Sequence, residues 1–302
     1  MFHGVYTALI TPFVAGRADE EGQIDWPALD ALVERQIAAG IDGVVPCGTT
    51  GESSTLSKAE KVEIFRRVVA TARGRCKVIA GIGTNDTRTT VALARAALEA
   101  GADGGLVITP YYNKPTQEGL YHHFRTVAEQ VPGLPNVLYN VPSRTGVSLT
   151  VDTVDRLADV PGIVAIKEAS RDLTMDAEIV ARCGDRLAVL SGEDSISFPL
   201  WAVGGRGVIC VASNLVPERL VALWRAFERG DWNTARALHL KLLPVFNGLF
   251  LETNPVPVKT ACALAFGGSA EVRLPLVPLQ PGTLARLEQL CADHEIVLTR
   301  RA

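Results

Sequence analysis

Ala39-Gly40-Ile41-Asp42-Gly43-Val44 returns later in the chain as Ala100-Gly101-Ala102-Asp103-Gly104-Gly105. In each copy the first glycine suits the left-handed position that ends a helix, and the Asp-Gly pair turns the chain into a strand. A helix-to-strand joint used twice predicts one β/α unit used repeatedly. Working outward, eight short runs read as strands: Val5 to Ile10, Gly43 to Val45, Val78 to Gly81, Gly105 to Ile108, Asn136 to Tyr139, Ile163 to Lys167, Ala188 to Leu190 and Gly207 to Val211. Most are continuously apolar rather than alternating, which is the pattern of parallel strands buried on both faces.

The segments between them carry helix punctuation. Ser57-Lys58-Ala59-Glu60 is a capping box opening a helix to Ala72, its hydroxyl and carboxylate each satisfying an orphan backbone N–H. Asp25 caps a helix from Trp26 to Ala39 whose Leu29, Leu32, Val33 and Ile37 share one face. Eight such units close into a (β/α)8 TIM barrel, an α/β fold with right-handed crossovers. A doubly wound open sheet is the rival, but no G-x-G-x-x-G follows the first strand. Beyond residue 230 only helices are expected, at Trp232 to Phe250, Pro257 to Phe266 and Gly282 to Cys291. The expected division is a barrel carrying the active site over 1–230, with a C-terminal helical region packed on it over 231–302.

Composition agrees. The 302 residues are 47% hydrophobic and 21% charged, which excludes disorder as the main state. Thirty basic residues against 33 acidic ones leave a net charge of −3, so no basic excess exists to gather on nucleic acid or an acidic membrane. No apolar run approaches the roughly 18 residues of a membrane span, and the start of the chain lacks a signal peptide's charged and apolar regions. A soluble, cytoplasmic protein is expected. Cys47, Cys76, Cys183, Cys210, Cys262 and Cys291 form no C-x-x-C pair and read as reduced core residues.

In such a barrel the working residues lie at the C-terminal ends of the strands. Lys167 ends the apolar run Ile163-Val164-Ala165-Ile166 at that mouth. Lysine is rarely buried unless used, and an amine taken out of water there can attack a ketone to form a Schiff base. The alternative is a lysine paired to Glu168 or another rim carboxylate. Tyr139 ends the neighbouring strand, where a phenol bonded to Thr50 and to a second phenol would shuttle protons; the alternative is a packed aromatic. Gly48-Thr49-Thr50-Gly51 lacks the Lys-Ser/Thr of a phosphate loop. His3, His122, His123, His239 and His294 show no metal-ligand spacing, so no metal is expected.

Five motifs, Gly48-Thr49-Thr50-Gly51-Glu52, Pro110-Tyr111-Tyr112-Asn113-Lys114-Pro115, Tyr139-Asn140-Val141-Pro142-Ser143-Arg144-Thr145-Gly146, Ile166-Lys167-Glu168 and Asn254-Pro255-Val256-Pro257-Val258-Lys259, together bring a resemblance. In that order the chain resembles the dihydrodipicolinate synthase family, pyruvate-dependent class I aldolases related to N-acetylneuraminate lyase. The resemblance implies a lyase that condenses pyruvate with L-aspartate-4-semialdehyde on the diaminopimelate route to lysine, without metal or organic cofactor. It implies Lys167 as the Schiff-base lysine, Tyr139 as the proton donor and acceptor, and Thr49 and Tyr112 as the rest of the relay, the latter lent across a dimer interface. Thr50, the backbone at Ile209, and Gly192 match the pyruvate contacts. Arg144 matches the grip on the aldehyde substrate's carboxylate, which a planar guanidinium can take bidentately. The family is typically a homotetramer, a dimer of dimers.

The rivals are a sugar-acid or hydroxy-oxo-acid aldolase of the same superfamily, which usually carries another residue in place of Arg144, and a non-catalytic barrel binding module, expected to have lost Lys167 or Tyr139. Members inhibited by lysine hold it at the tight-dimer interface, where Ser53, Ser54, Asn85 and Tyr111 match here. The match then fails, because Lys58 and Lys61 stand where lysine-sensitive bacterial members have imidazoles and Thr89 replaces an effector-binding carboxylate. Weak or absent inhibition is the expectation.

Overall fold

All eight apolar runs become strands in the computed structural model, which describes residues 2–14 and 22–299; the outer limits of the expected division, residues 1 and 302, lie outside these. The strands are β1 Gly4–Ala8, β2 Gly43–Val45, β3 Lys77–Gly81, β4 Gly104–Ile108, β5 Asn136–Asn140, β6 Ile163–Glu168, β7 Ala188–Ser191 and β8 Gly207–Cys210. The helices are α1 Trp26–Ala38, α2 Lys58–Ala72, α3 Thr87–Glu99, α4 Gln117–Gln130, α5 Pro142–Thr145, α6 Val151–Ala158, α7 Leu173–Cys183, α8 Ser197–Ala202, α9 Pro217–Glu228, α10 Trp232–Gly248, α11 Val256–Phe266 and α12 Pro281–Asp293. Each strand pairs in parallel with the next and β8 pairs with β1, so the sheet closes into a barrel with no free edge. The TIM barrel is therefore the observed fold, with α10 to α12 following it.

The continuous apolar runs resolve into two packed layers. Val5, Val44, Val78, Val107, Leu138, Ile166, Val189 and Val208 face the surrounding helices. Tyr6, Val45, Ile79, Leu106, Val137, Tyr139, Leu190 and Ile209 fill the barrel's interior. The alternation breaks once, where β6 carries one extra residue against β5: Asn136 pairs with Ile163 but Val137 pairs with Ala165. Val164 and Ala165 both pack with the interior cluster, and the bulge reverses the parity of everything after it.

Two strands end earlier than the sequence suggests, each for a polar reason. Beyond β1 the Ile10 N–H leaves the ladder for Asn214 Oδ1 at 3.1 Å. Beyond β8 the Val211 N–H turns to the buried Asp194 carboxylate, 3.1 Å from Oδ2. The capping box at Ser57 and the Asp25 cap both form. All six cysteines are buried, and no helix among the described residues is long and apolar enough to cross a membrane.

The repeated joints hold one feature that the sequence reading did not include. Gly40 and Gly101 are left-handed as expected, at φ 80° and 85°. The aspartates, however, reach back to the preceding strand: Asp42 Oδ2 accepts from Val5 N at 2.8 Å and Asp103 Oδ2 from Val78 N at 2.9 Å. Gly4 is required beside the first, since a Cβ there would lie 2.2 Å from Asp42 Oδ2. These ties close the floor of the barrel. Asp42→Ala strands the Val5 N–H and also removes one of the two carboxylate partners of Arg225, 2.9 Å away. The expected cost is about 1 to 3 kcal/mol, read as a lower urea midpoint at unchanged slope, with Asp42→Asn recovering part of it. An unchanged midpoint in the alanine variant contradicts the tie.

Candidate active site

The parity set by the bulge turns Lys167 inward at the C-terminal mouth, directly opposite its register partner Tyr139 on β5. Both are 5% exposed, and Lys167 Nζ lies 4.3 Å from the centre of the Tyr139 ring. Room for the long side chain comes from Gly192, where a Cβ would sit 2.9 Å from Lys167 Cε and 2.7 Å from the Ala169 Cβ. Glu168, the alternative partner, projects to the other side of β6. It accepts from Asn140 Nδ2 at 2.8 Å and from the Ser170 N–H at 2.6 Å, and burial pushes its carboxyl up. The lysine is not neutralised by its neighbour.

After β2 the chain makes tight turns, with Gly51 N donating to Gly48 O and Glu52 N to Thr49 O, both at 3.1 Å. Cys47 and Glu52 take left-handed φ values of 56° and 55°. Gly81 lets this loop lie against β3, because a Cβ there would be 2.1 Å from the Cys47 carbonyl oxygen. Thr49 lines a cavity of about 240 Å³ together with Ser53, Ser54, Tyr111, Tyr139 and Arg144. Thr50, 3% exposed, corrects one expectation. Its Oγ1 accepts from Asn254 Nδ2 at 3.0 Å rather than bonding to Tyr139, and among the described residues the Tyr139 hydroxyl has no hydrogen-bond partner within this chain. Arg144, exposed on α5, donates from Nη2 to the Asn254 carbonyl at 3.3 Å. Ile209 is fully buried on the inward face of β8.

Lys167, Tyr139, Thr49, Thr50, Arg144 and Gly192 thus come together at one end of the barrel, and Ile209 belongs to the interior cluster that also holds Tyr139. Tyr112 does not join them within this chain, being 88% exposed at φ 74° on the loop after β4. Asn85 lies outside the cavity, its carbonyl accepting from Asn113 Nδ2 at 2.9 Å. Sequence reasoning missed two groups. Asp194 receives the Val211 and Ala212 N–H groups behind β8, and burial pushes its carboxyl up to about 7. Asn254 touches both Thr50 and Arg144, and its only sequence signal was its place in the last of the five motifs.

Comparison with known proteins agrees with this geometry. The model of the dihydrodipicolinate synthetase family matches residues 1–293. A 4-hydroxy-tetrahydrodipicolinate synthase of Nitratidesulfovibrio vulgaris (strain DSM 19637 / Miyazaki F) is 50% identical over 297 residues, covering 98% of this chain and 99% of that protein. The crystal structure of dihydrodipicolinate synthase from Aquifex aeolicus superposes with a TM-score of 0.95 at 45% identity, over 99% of this chain and 100% of that one. The chloride-inhibited enzyme of Acinetobacter baumannii, solved in complex with pyruvate, superposes with a TM-score of 0.94 at 39% identity, over 98% of this chain and 100% of that one.

The loop that carries Thr49 and Thr50 is anchored from below. Glu52 meets Lys259 of α11 at 2.6 Å, with side chains 1% and 0% exposed, and also accepts from the Arg273 N–H at 3.0 Å. The Arg273 guanidinium reaches Glu60 at 2.6 Å and the Gly22 carbonyl at 2.9 Å. Burial pushes the Lys259 ammonium down to about 8 against the pull of Glu52. Removing one member of such a pair leaves an uncompensated buried charge, at about 3 to 5 kcal/mol. Lys259→Met should therefore lower the free energy of unfolding by that amount, read from a denaturant titration. A shift below about 1 kcal/mol, the value of an exposed pair, would show that the pair holds nothing.

Proposed function

The chain belongs to the dihydrodipicolinate synthetase family, and from that premise we propose that Lys167 carries the chemistry of its active site. The protein is a lyase with 4-hydroxy-tetrahydrodipicolinate synthase activity, like its full-length relatives. In our reading Lys167 Nζ attacks the C2 carbonyl of pyruvate, water leaves, and an imine forms. Loss of a C3 proton gives the enamine, whose C3 attacks the aldehyde carbon of L-aspartate-4-semialdehyde while the aldehyde oxygen takes up a proton. The amino group of the joined product then attacks the imine carbon, closing the ring and freeing Lys167. Tyr139, beside the amine, moves the protons, with Thr49 and the Tyr112 of a second copy completing the relay. Thr50, Gly192 and the backbone at Ile209 receive pyruvate, and Arg144 at the rim grips the carboxylate of the aldehyde substrate.

The observation that carries this reading is a buried lysine at the end of a barrel strand, turned away from the one carboxylate next to it in sequence and toward a phenol. Pyruvate and borohydride should leave one adduct, on Lys167, and Lys167→Ala should abolish it. Lys259, buried more deeply still, is held by Glu52, so labelling there or on Lys114 would sink the assignment.

Tyr112 supports a shared site, since an aromatic ring left 88% exposed on a left-handed residue has no packing role within its own chain. We read the assembly as a dimer of dimers and the helices of 231–302 as a region packed on the barrel that holds its loops. Mixing inactive Lys167→Ala with weakened Tyr112→Phe should restore activity, because a mixed dimer contains one site with both native residues. No recovery on mixing, with mixed dimers demonstrated by mass, would contradict the shared site.

Ser53, Ser54, Asn85 and Tyr111 we read as the remainder of an effector site. Lys61 is buried on α2 near the Cys47 thiol that lines the same cavity, and Lys58 is exposed at the start of that helix. Thr89 stands in place of a carboxylate, and Asp86 is engaged as a helix cap, accepting from the Thr89 N–H at 2.9 Å and its hydroxyl at 2.5 Å. A cationic effector would meet added ammonium groups and lack a free anionic partner. Like charges about 4 Å apart cost about 4 kcal/mol at an effective dielectric of 20. Millimolar L-lysine should leave the rate largely unchanged, and half-inhibition below that range in a steady-state titration would refute this reading.

A further inference from the structure

Asn254, 5% exposed just before α11, touches the site twice. Its side-chain Nδ2 donates to Thr50 Oγ1 at 3.0 Å, and its main-chain carbonyl accepts from Arg144 Nη2 at 3.3 Å. An amide nitrogen only donates, so the Thr50 oxygen must accept here, and the single hydroxyl proton has to point elsewhere. Asn254 Oδ1 has no partner among the described residues, so the one hydrogen bond that this amide makes is the one it donates to Thr50.

We propose that Asn254 is a positioning residue that fixes the Thr50 hydroxyl as a hydrogen-bond donor toward the carboxylate of the bound 2-oxo acid, while its carbonyl sets the Arg144 guanidinium for the second substrate. This rests on the reading above that Thr50 binds that carboxylate. A threonine free to rotate offers lone pairs as readily as its proton, and lone pairs repel an anion. Held by Asn254, it offers the proton alone. A residue of the C-terminal region thereby selects for an acid at one substrate position and steadies the group that selects for an acid at the other.

The test follows pyruvate, through the concentration that gives half-maximal imine trapping with cyanoborohydride, in the full-length enzyme. Thr50→Val should raise that concentration about tenfold or more, the range expected for losing a hydrogen bond to a charged group. If it does not, Thr50 does not bind the carboxylate, and the reading fails together with this inference. Asn254→Asp keeps the shape but, when ionised, only accepts, so it should turn the Thr50 proton away from pyruvate and weaken binding by a similar factor. As pH falls through the carboxyl's titration, between about 8 and 5 for a buried aspartate, the protonated side chain can donate again, and the ratio of variant to native enzyme should return toward one. In the Thr50→Val background, Asn254→Asp should add nothing.

An equal penalty in both backgrounds would mean that the new charge acts on pyruvate directly, and no penalty beside Thr50 would mean that the amide oxygen faces the hydroxyl. Either outcome overturns the proposal while leaving Thr50 as the carboxylate contact. Should the aspartate variant not fold, Asn254→Ala removes the donor without adding charge. Its penalty should then be independent of pH and present only with Thr50 in place, and any other pattern overturns the proposal.

Discussion

One extra residue in β6 decides which way Lys167 points. Counted by strict alternation from Ile163, which packs outward against the helices, Lys167 would also face outward, into the helical layer. Because Val137 pairs with Ala165 instead of Val164, the count is reversed and Lys167 faces the interior with Tyr139 directly opposite. A one-residue change of register moves every later side chain to the other face, so Glu168 is carried outward by the same step that brings Lys167 in. The outward side suits it, with Asn140 and Ser170 as donors. Each face thus receives the group that it can satisfy, which is what pins the register.

The barrel alone does not shape the mouth. Thr50, Glu52 and Arg144 are held from the C-terminal region by Asn254 and Lys259, contacts that span up to 207 residues of sequence. Such long-range contacts cost loop-closure entropy that grows only slowly with separation, so a distant segment can anchor a loop almost as cheaply as a near one. The loop gains a rigid floor from a buried ion pair and a directed hydrogen bond above it. Chemistry and support come from different parts of the chain.

Sequence patterns revealed the strands because a strand buried on both faces writes an apolar run, and eight such runs with turn residues between them leave few topologies. They singled out Lys167 and Tyr139 as candidates because a lysine or phenol at the end of such a run is chemically conspicuous. They could not reveal the bulge, since Val164 and Ala165 are apolar in either register. Nor could they give the partner of Thr50, because a hydroxyl that accepts from an asparagine far along the chain leaves no local trace. The aspartates of the repeated joints were visible as turn formers, yet their bonds to Val5 and Val78 depend on which strands become neighbours.

Backbone strain gathers in the loops that follow the barrel strands. Of the non-glycine residues with positive φ, Cys47 and Glu52 follow β2, Tyr112 and Lys114 follow β4, and Arg171 follows β6. Each such conformation costs about 1 to 3 kcal/mol, and each loop has a tether that offsets it. Glu52 is held by Lys259, Arg171 by Glu193 at 2.8 Å, and the loop of Tyr112 by the bond from Asn113 to the Asn85 carbonyl. The first two tethers involve charged groups drawn from elsewhere in the chain, so those loops are locked by the finished fold rather than by their own sequence. The loop of Tyr112 has the lightest tether, a single bond between neutral groups, and its ring is the most exposed large hydrophobic side chain among the described residues. That is the loop for which a second copy would have to supply the missing contacts.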